Sequence, residues 1–238
     1  METSNPLLKR DIEYASTAAS GTMELQGTIN KSGLLLLLCM GSAFYAWTHP
    51  QFEGPLIIIG LIGGLVAFFV GMFKPATSPI AAPAYALLEG LVLGAISQIY
   101  DHQFHGIVAN AMLLTFSVMG LMLFLYCTRI VRVTQRFMIG VMIATGAVAV
   151  VYLIDMVMGM FGSHVTPLYS NGALGIGISL VIVAIAAANL LMDFAVIESN
   201  VQQGAPKYME WYCGMALLVT LVWLYLEILR LLSKLQKR

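Results

Sequence analysis

Seven stretches of almost uninterrupted apolar residues, at about 32–47, 55–73, 84–100, 107–126, 137–160, 173–197 and 211–232, constrain this chain more than any other feature. A bilayer's hydrocarbon core is about 30 Å thick, so a run of roughly 20 apolar residues crosses it once as a helix. Lipid offers no partner for a bare N–H or C=O, so a spanning run must close its hydrogen bonds within itself or join a closed barrel. A barrel would show strands of roughly ten residues with alternating polarity, and the sequence has no such pattern. Only 10% of the residues are charged and 59% are hydrophobic, against about 25% charged in soluble domains, too few to cover a water-facing surface. The expected fold is an all-α integral membrane protein, a bundle of about seven transmembrane helices.

The breaks between runs are chemically distinct. His49-Pro50 separates the first two, and Lys74-Pro75, Pro79 and Pro83 are expected to hold back the third until Ala84, because proline lacks a backbone donor and disfavours helix before it. Asp101 to His105, then Arg129, Arg132 and Arg136, then Gly162 to Gly172 mark the later turns. Residues 1–29 are polar and mixed in charge, and are expected to form a flexible tail. No short apolar core with a small-residue cleavage site precedes the first run, which is expected to act as the targeting signal. Residues 233–238 form a basic tail.

Basic residues fall on one side if the N-terminus is cytoplasmic: Lys9, Arg10 and Lys31, then Lys74, then Arg129, Arg132 and Arg136, then Lys207. Lys234, Lys237 and Arg238 break the rule, so the seventh run either crosses fully against it or is re-entrant. With 12 basic and 12 acidic residues the net charge is zero, which gives no case for nucleic acid as a partner. Cys39, Cys127 and Cys213 are isolated and suggest neither a disulfide framework nor a zinc site. His49, His102, His105 and His164 all fall in the expected outer loops, and no nucleophile, zinc-protease or phosphate-loop motif marks an enzyme.

Four acids interrupt the apolar runs: Glu89, Asp155, Asp193 and Glu227. An acid at mid-bilayer costs about 2.5 to 3.5 kcal/mol on insertion scales, so such residues face the bundle interior or a water path. Their common sign favours a site for protons or metal cations, since paired buried carboxyls titrate nearer neutrality. Asp155 lies near the outer end of its run, where it is expected to reach water. Glu227 has Arg230 at i+3 as a possible intrahelical partner, and Glu89 could answer Lys74. Asp193 stands four residues after Asn189, with no basic residue in its own run, and is the strongest candidate.

The chain resembles the bacterial Bax inhibitor-1-like family, the transmembrane Bax inhibitor motif proteins. The resemblance rests on Leu190-Leu191-Met192-Asp193-Phe194 with Ile197, on Ala205-Pro206-Lys207-Tyr208-Met209-Glu210-Trp211-Tyr212, and on the run from Leu217 to Arg230; Tyr85 to Gly94 is similar to the family's third helix. The likeness implies seven helices around a central last one, in a bacterial inner membrane. It also implies a pair of acids on helices six and seven that latch a pH-sensitive calcium leak. Asp193 matches the first acid, and would be the calcium contact, with calcium as permeant or bound ion and no resident cofactor. Anchoring on Arg230 places Thr220 where members with the latch have aspartate, so the second carboxylate would have to come from Glu227, Glu210 or Glu89. Lys74 and Arg230 are the possible counter-charges. Some members also suggest a different role, regulation of a membrane-anchored AAA protease through the N-terminal tail.

Overall fold

The computed structural model describes residues 21–162, 165 and 170–237, so most of the N-terminal tail, His164, Pro167 and Arg238 lie outside it. Among the described residues there are seven helices long and apolar enough to cross a membrane, and no strands. They are α1 Leu25–Thr48, α2 Glu53–Phe73, α3 Ser78–Gln103, α4 Ile107–Cys127, α5 Gln135–Met160, α6 Ala173–Gln202 and α7 Met209–Gln236. The shortest has 21 residues, about 31 Å at 1.5 Å per residue, enough to cross the hydrocarbon core. Large apolar side chains point outward along these helices, with Phe44 69%, Ile62 62%, Leu113 67% and Ile143 68% exposed. Such a surface would be an aggregation hazard in water and is the ordinary exterior of a protein solvated by lipid. The chain is a multi-pass membrane protein.

Several helix ends differ from the expected ones. The first helix begins at Leu25, ahead of Ser32, so residues 25–29 belong to it and not to a tail. The third begins at Ser78 and contains Pro79 and Pro83. Pro79 falls in the first turn, where the missing N–H would have had no helical partner in any case. The seventh continues to Gln236, so Lys234 sits in its last turn and not in a solvated tail.

The chain packs as two compact units, Met1–Ala95 with Val196–Leu218, and Ile96–Ala195 with Val219–Arg238. In the first, α1 and α3 approach to backbone contact. A Cβ built on Gly90 would lie 2.0 Å from Ser42 Oγ and 2.2 Å from the Cys39 carbonyl oxygen, and one on Gly94 would lie 2.1 Å from that of Ala43. The two glycines are four residues apart, on one helix face, the small-xxx-small spacing that brings membrane helices together where no hydrophobic force separates protein from lipid. Leu35, Ala82, Ala86 and Ala95 are fully buried around this seam.

In the second unit the contacts are more polar. The Ser97 and Tyr225 hydroxyls lie 2.6 Å apart, joining α3 to α7, and Asn189 Nδ2 donates to Thr145 Oγ1 at 2.8 Å, joining α6 to α5. Lys234, at the far end of α7, donates to the Gly175 carbonyl at 3.1 Å and to Ser179 Oγ at 2.8 Å in the first turns of α6. At the other end of the same two helices, Cys213 packs on Ile197 within the first unit. Helix α7 is continuous over 28 residues and is long and apolar enough to cross a membrane.

Candidate functional site

Asp193 lies on α6 about 14 Å from that helix's last residue, and Thr220 lies on α7 about 16 Å from its first, so helical rise alone sets them at one level. The structure brings them together: the Thr220 hydroxyl hydrogen-bonds the Asp193 carboxyl. The other carboxyl oxygen, Oδ2, is buried and has no hydrogen-bond partner among the described residues. A buried acceptor left unmade costs about 1–3 kcal/mol, more when charged, so this oxygen has a standing demand for a proton, a cation or a water molecule. At the position where the resemblance puts a second acid, this chain keeps the helix contact but supplies a hydroxyl.

Glu227 has the opposite surroundings. Its side chain is 2% exposed and Arg230, at i+3, donates to both carboxylate oxygens at 3.0 and 3.1 Å. Tyr152 of α5 donates to Oε1 at 2.6 Å and Trp223 Nε1 to the same oxygen at 3.3 Å. Arg230 also donates to the Tyr152 hydroxyl and stands over the Tyr152 ring at 5.1 Å from its centroid. Trp223, Glu227, Arg230 and Lys234 follow one another at spacings of four, three and four, a polar stripe on one face of α7. Asp155 is only 7% exposed and accepts from the Val165 N–H at 2.9 Å, so it does not reach for water as expected.

Glu89 belongs to the first unit, half-buried on α3 where α2 passes, with its Oε2 3.4 Å from where a Cβ on Gly64 would be. Lys74 is exposed just after α2, and among the described residues no ion pair joins it to Glu89. Glu210, the remaining candidate for a second acid, is also spent elsewhere. Its carboxylate is fully buried and accepts from the Lys31 and Lys207 ammoniums and, at 2.9 Å, from the Glu24 backbone N–H. Lys31 further lies over the Trp211 ring, 5.2 Å from its centroid. The hydrogen bond to Glu210 pushes the Lys207 ammonium above its ordinary range. Glu227 and Glu210 are thus each committed to basic partners of their own.

Sequence reasoning did not single out Tyr152, Ser179 or the burial of Lys234. Tyr152 is 75 positions from the carboxylate it serves, and only the four-residue step from Arg230 to Lys234 hinted that the last lysine shares its face. Among the described residues no three His, Cys, Asp or Glu side chains converge on one point. Calcium at Asp193 would have to be held by that carboxylate with neutral oxygens, against the six to eight oxygen ligands the ion prefers.

A family model described as Bax inhibitor 1 like matches residues 5–237, nearly the whole chain. No curated protein and no solved structure gives a significant match.

Proposed function

The chain belongs to the Bax inhibitor 1-like family, and we propose that it is a pH-responsive cation leak or exchanger of a bacterial inner membrane, carrying calcium or protons with Asp193 as the titrating contact. The observation that supports this reading is the buried, unpartnered Oδ2 of Asp193 at the level of Thr220. An ionisable group inside a membrane domain, left without a counter-charge, is the usual mark of an ion or proton path. Thr220 orients the carboxyl without neutralising it, so the proton or cation that Asp193 takes must come from solution. Glu227 with Arg230 serves as a fixed ion pair beside the path. The N-terminus faces the cytoplasm, as the positions of Lys31, Lys74, Arg129, Arg132, Arg136 and Lys207 favour, and seven crossings then carry the C-terminus to the other side.

Purified protein in proteoliposomes tests this reading. Wild type should pass calcium at a rate that changes between about pH 5 and 8, and Asp193→Asn should flatten that dependence. No flux in wild type, or an unchanged pH profile in the variant, would refute it.

A second reading, regulation of a membrane-anchored AAA protease through the N-terminal tail, draws support from Gly21 and Met23, which are tied by backbone hydrogen bonds to the turn between α6 and α7. Removing residues 1–20 should abolish protease coupling and leave flux intact; loss of flux with retained coupling would reverse the assignment.

A further inference from the structure

The residues just ahead of α1 are held in a manner typical of a bound peptide. Glu24 is extended, at φ −121° and ψ 147°. Met23 N donates to the Ala205 carbonyl at 2.7 Å, Lys207 N donates to that of Gly21 at 3.1 Å, and Thr22 faces Pro206 in an antiparallel bridge. The Met23 side chain, 2% exposed, fills an apolar seat made by Ile197 and Cys213 and rimmed by Val201, Ala205, Met209 and Tyr212. Backbone pairing on one edge with a pocket for a single side chain is how sheets and loops receive extended peptides.

We propose that the α6–α7 turn is a peptide-receiving site, occupied in cis by residues 21–24, and that this strap is releasable with the Glu210 carboxylate as its lock. Glu210 gathers the Glu24 N–H, the Lys31 ammonium and the Lys207 ammonium on one buried group. Gly27 lies directly beneath, where a Cβ would be 2.4 Å from Oε1, so strap, first turn of α1 and turn all depend on that carboxylate. The seat is shallow: one side chain is buried in it, Glu24 is 69% exposed and Lys207 37% exposed, leaving the outer half open to solvent and salt. The ligand class is an extended segment with an apolar residue followed by a free backbone N–H. The inference rests on neither functional reading above and holds whether or not the chain conducts ions.

Cys213 lies in the floor of the seat, 3% exposed, and reports its opening; Cys39, equally buried in α1, reports general loosening, and exposed Cys127 calibrates the reagent. The full chain in detergent is treated with a small water-soluble maleimide, and each cysteine is followed by mass spectrometry. Wild type should label at Cys127 and protect the other two. Glu210→Gln should raise the Cys213 rate about tenfold or more through local opening, with Cys39 unchanged. Met23→Ala, which empties the seat and keeps the carboxylate, should do the same if Glu210→Gln does not fold. Raising salt on wild type from about 0.1 to 1 M, which shortens screening from about 10 to 3 Å, should speed Cys213 alone. The proposal fails if Cys213 stays as protected as Cys39 in the variants, or if both cysteines become reactive together.

Discussion

Glu227 and Asp193 are both carboxylates of the second compact unit, and each is touched by a neighbouring helix, yet one is saturated and the other is not. Glu227 accepts from a guanidinium, a phenol and an indole; Asp193 accepts from a threonine hydroxyl and keeps one oxygen without a partner among the described residues. A buried charge whose partner is built into the fold contributes to holding helices in place, and removing it strands the other charge. A buried carboxyl without a counter-charge adds little to stability and can change its occupant. The acid with the richer surroundings is thus the structural one, and the poorer one is the candidate for function.

The comparison predicts a ranked set of stability effects, measured by thermal or denaturant unfolding in one detergent. Glu227→Ala should be the most damaging, near the low end of the roughly 3–5 kcal/mol typical of a broken buried pair, because Arg230 is 32% exposed and partly rehydrates. Tyr152→Phe should follow at about 1.5–3 kcal/mol, the worth of a hydrogen bond to a charged group. Thr220→Val should cost about 1 kcal/mol by removing a hydroxyl donor of similar shape. Asp193→Asn should move stability least, by less than about 1 kcal/mol, since the amide still accepts from Thr220 and no counter-charge is abandoned. The distinction collapses if Asp193→Asn costs as much as Glu227→Ala. It sharpens if Thr220→Asp, which places a second acid beside the first, makes stability depend more steeply on pH near neutrality than in wild type.

The seven segments were legible because each run is long and apolar enough to have a single outcome in lipid. Their ends were not. Glu24, Gln26 and Thr28 read as tail, yet the helix starts among them, because Glu210, 186 positions away, supplies the acceptor that Glu24 N requires. Pro79 and Pro83 read as breakers, but Pro79 falls in the first turn, which tolerates what a helix's middle does not, and the helix continues through Pro83. The Glu227–Arg230 pair was readable at i+3, while Tyr152 completes it from another helix and left no local signal. Asp193 was legible as an acid lacking a base nearby in sequence; that Thr220 meets it depended on the registration of α6 against α7, which composition does not encode.

The glycine seam between α1 and α3 bears on how such a molecule could move. With Gly90 and Gly94 against the Cys39 and Ala43 carbonyls, the side chain at the closest approach is the small Ser42 hydroxyl, already donating to the Cys39 carbonyl, and it offers little to rotate aside toward an intermediate spacing. They behave as a weld: the pair shifts as one body or parts altogether. Under the proposed cation leak, widening would have to open along a different line of contact, where side chains such as Asn189 and Thr145 meet at hydrogen-bond reach and can exchange one partner for another.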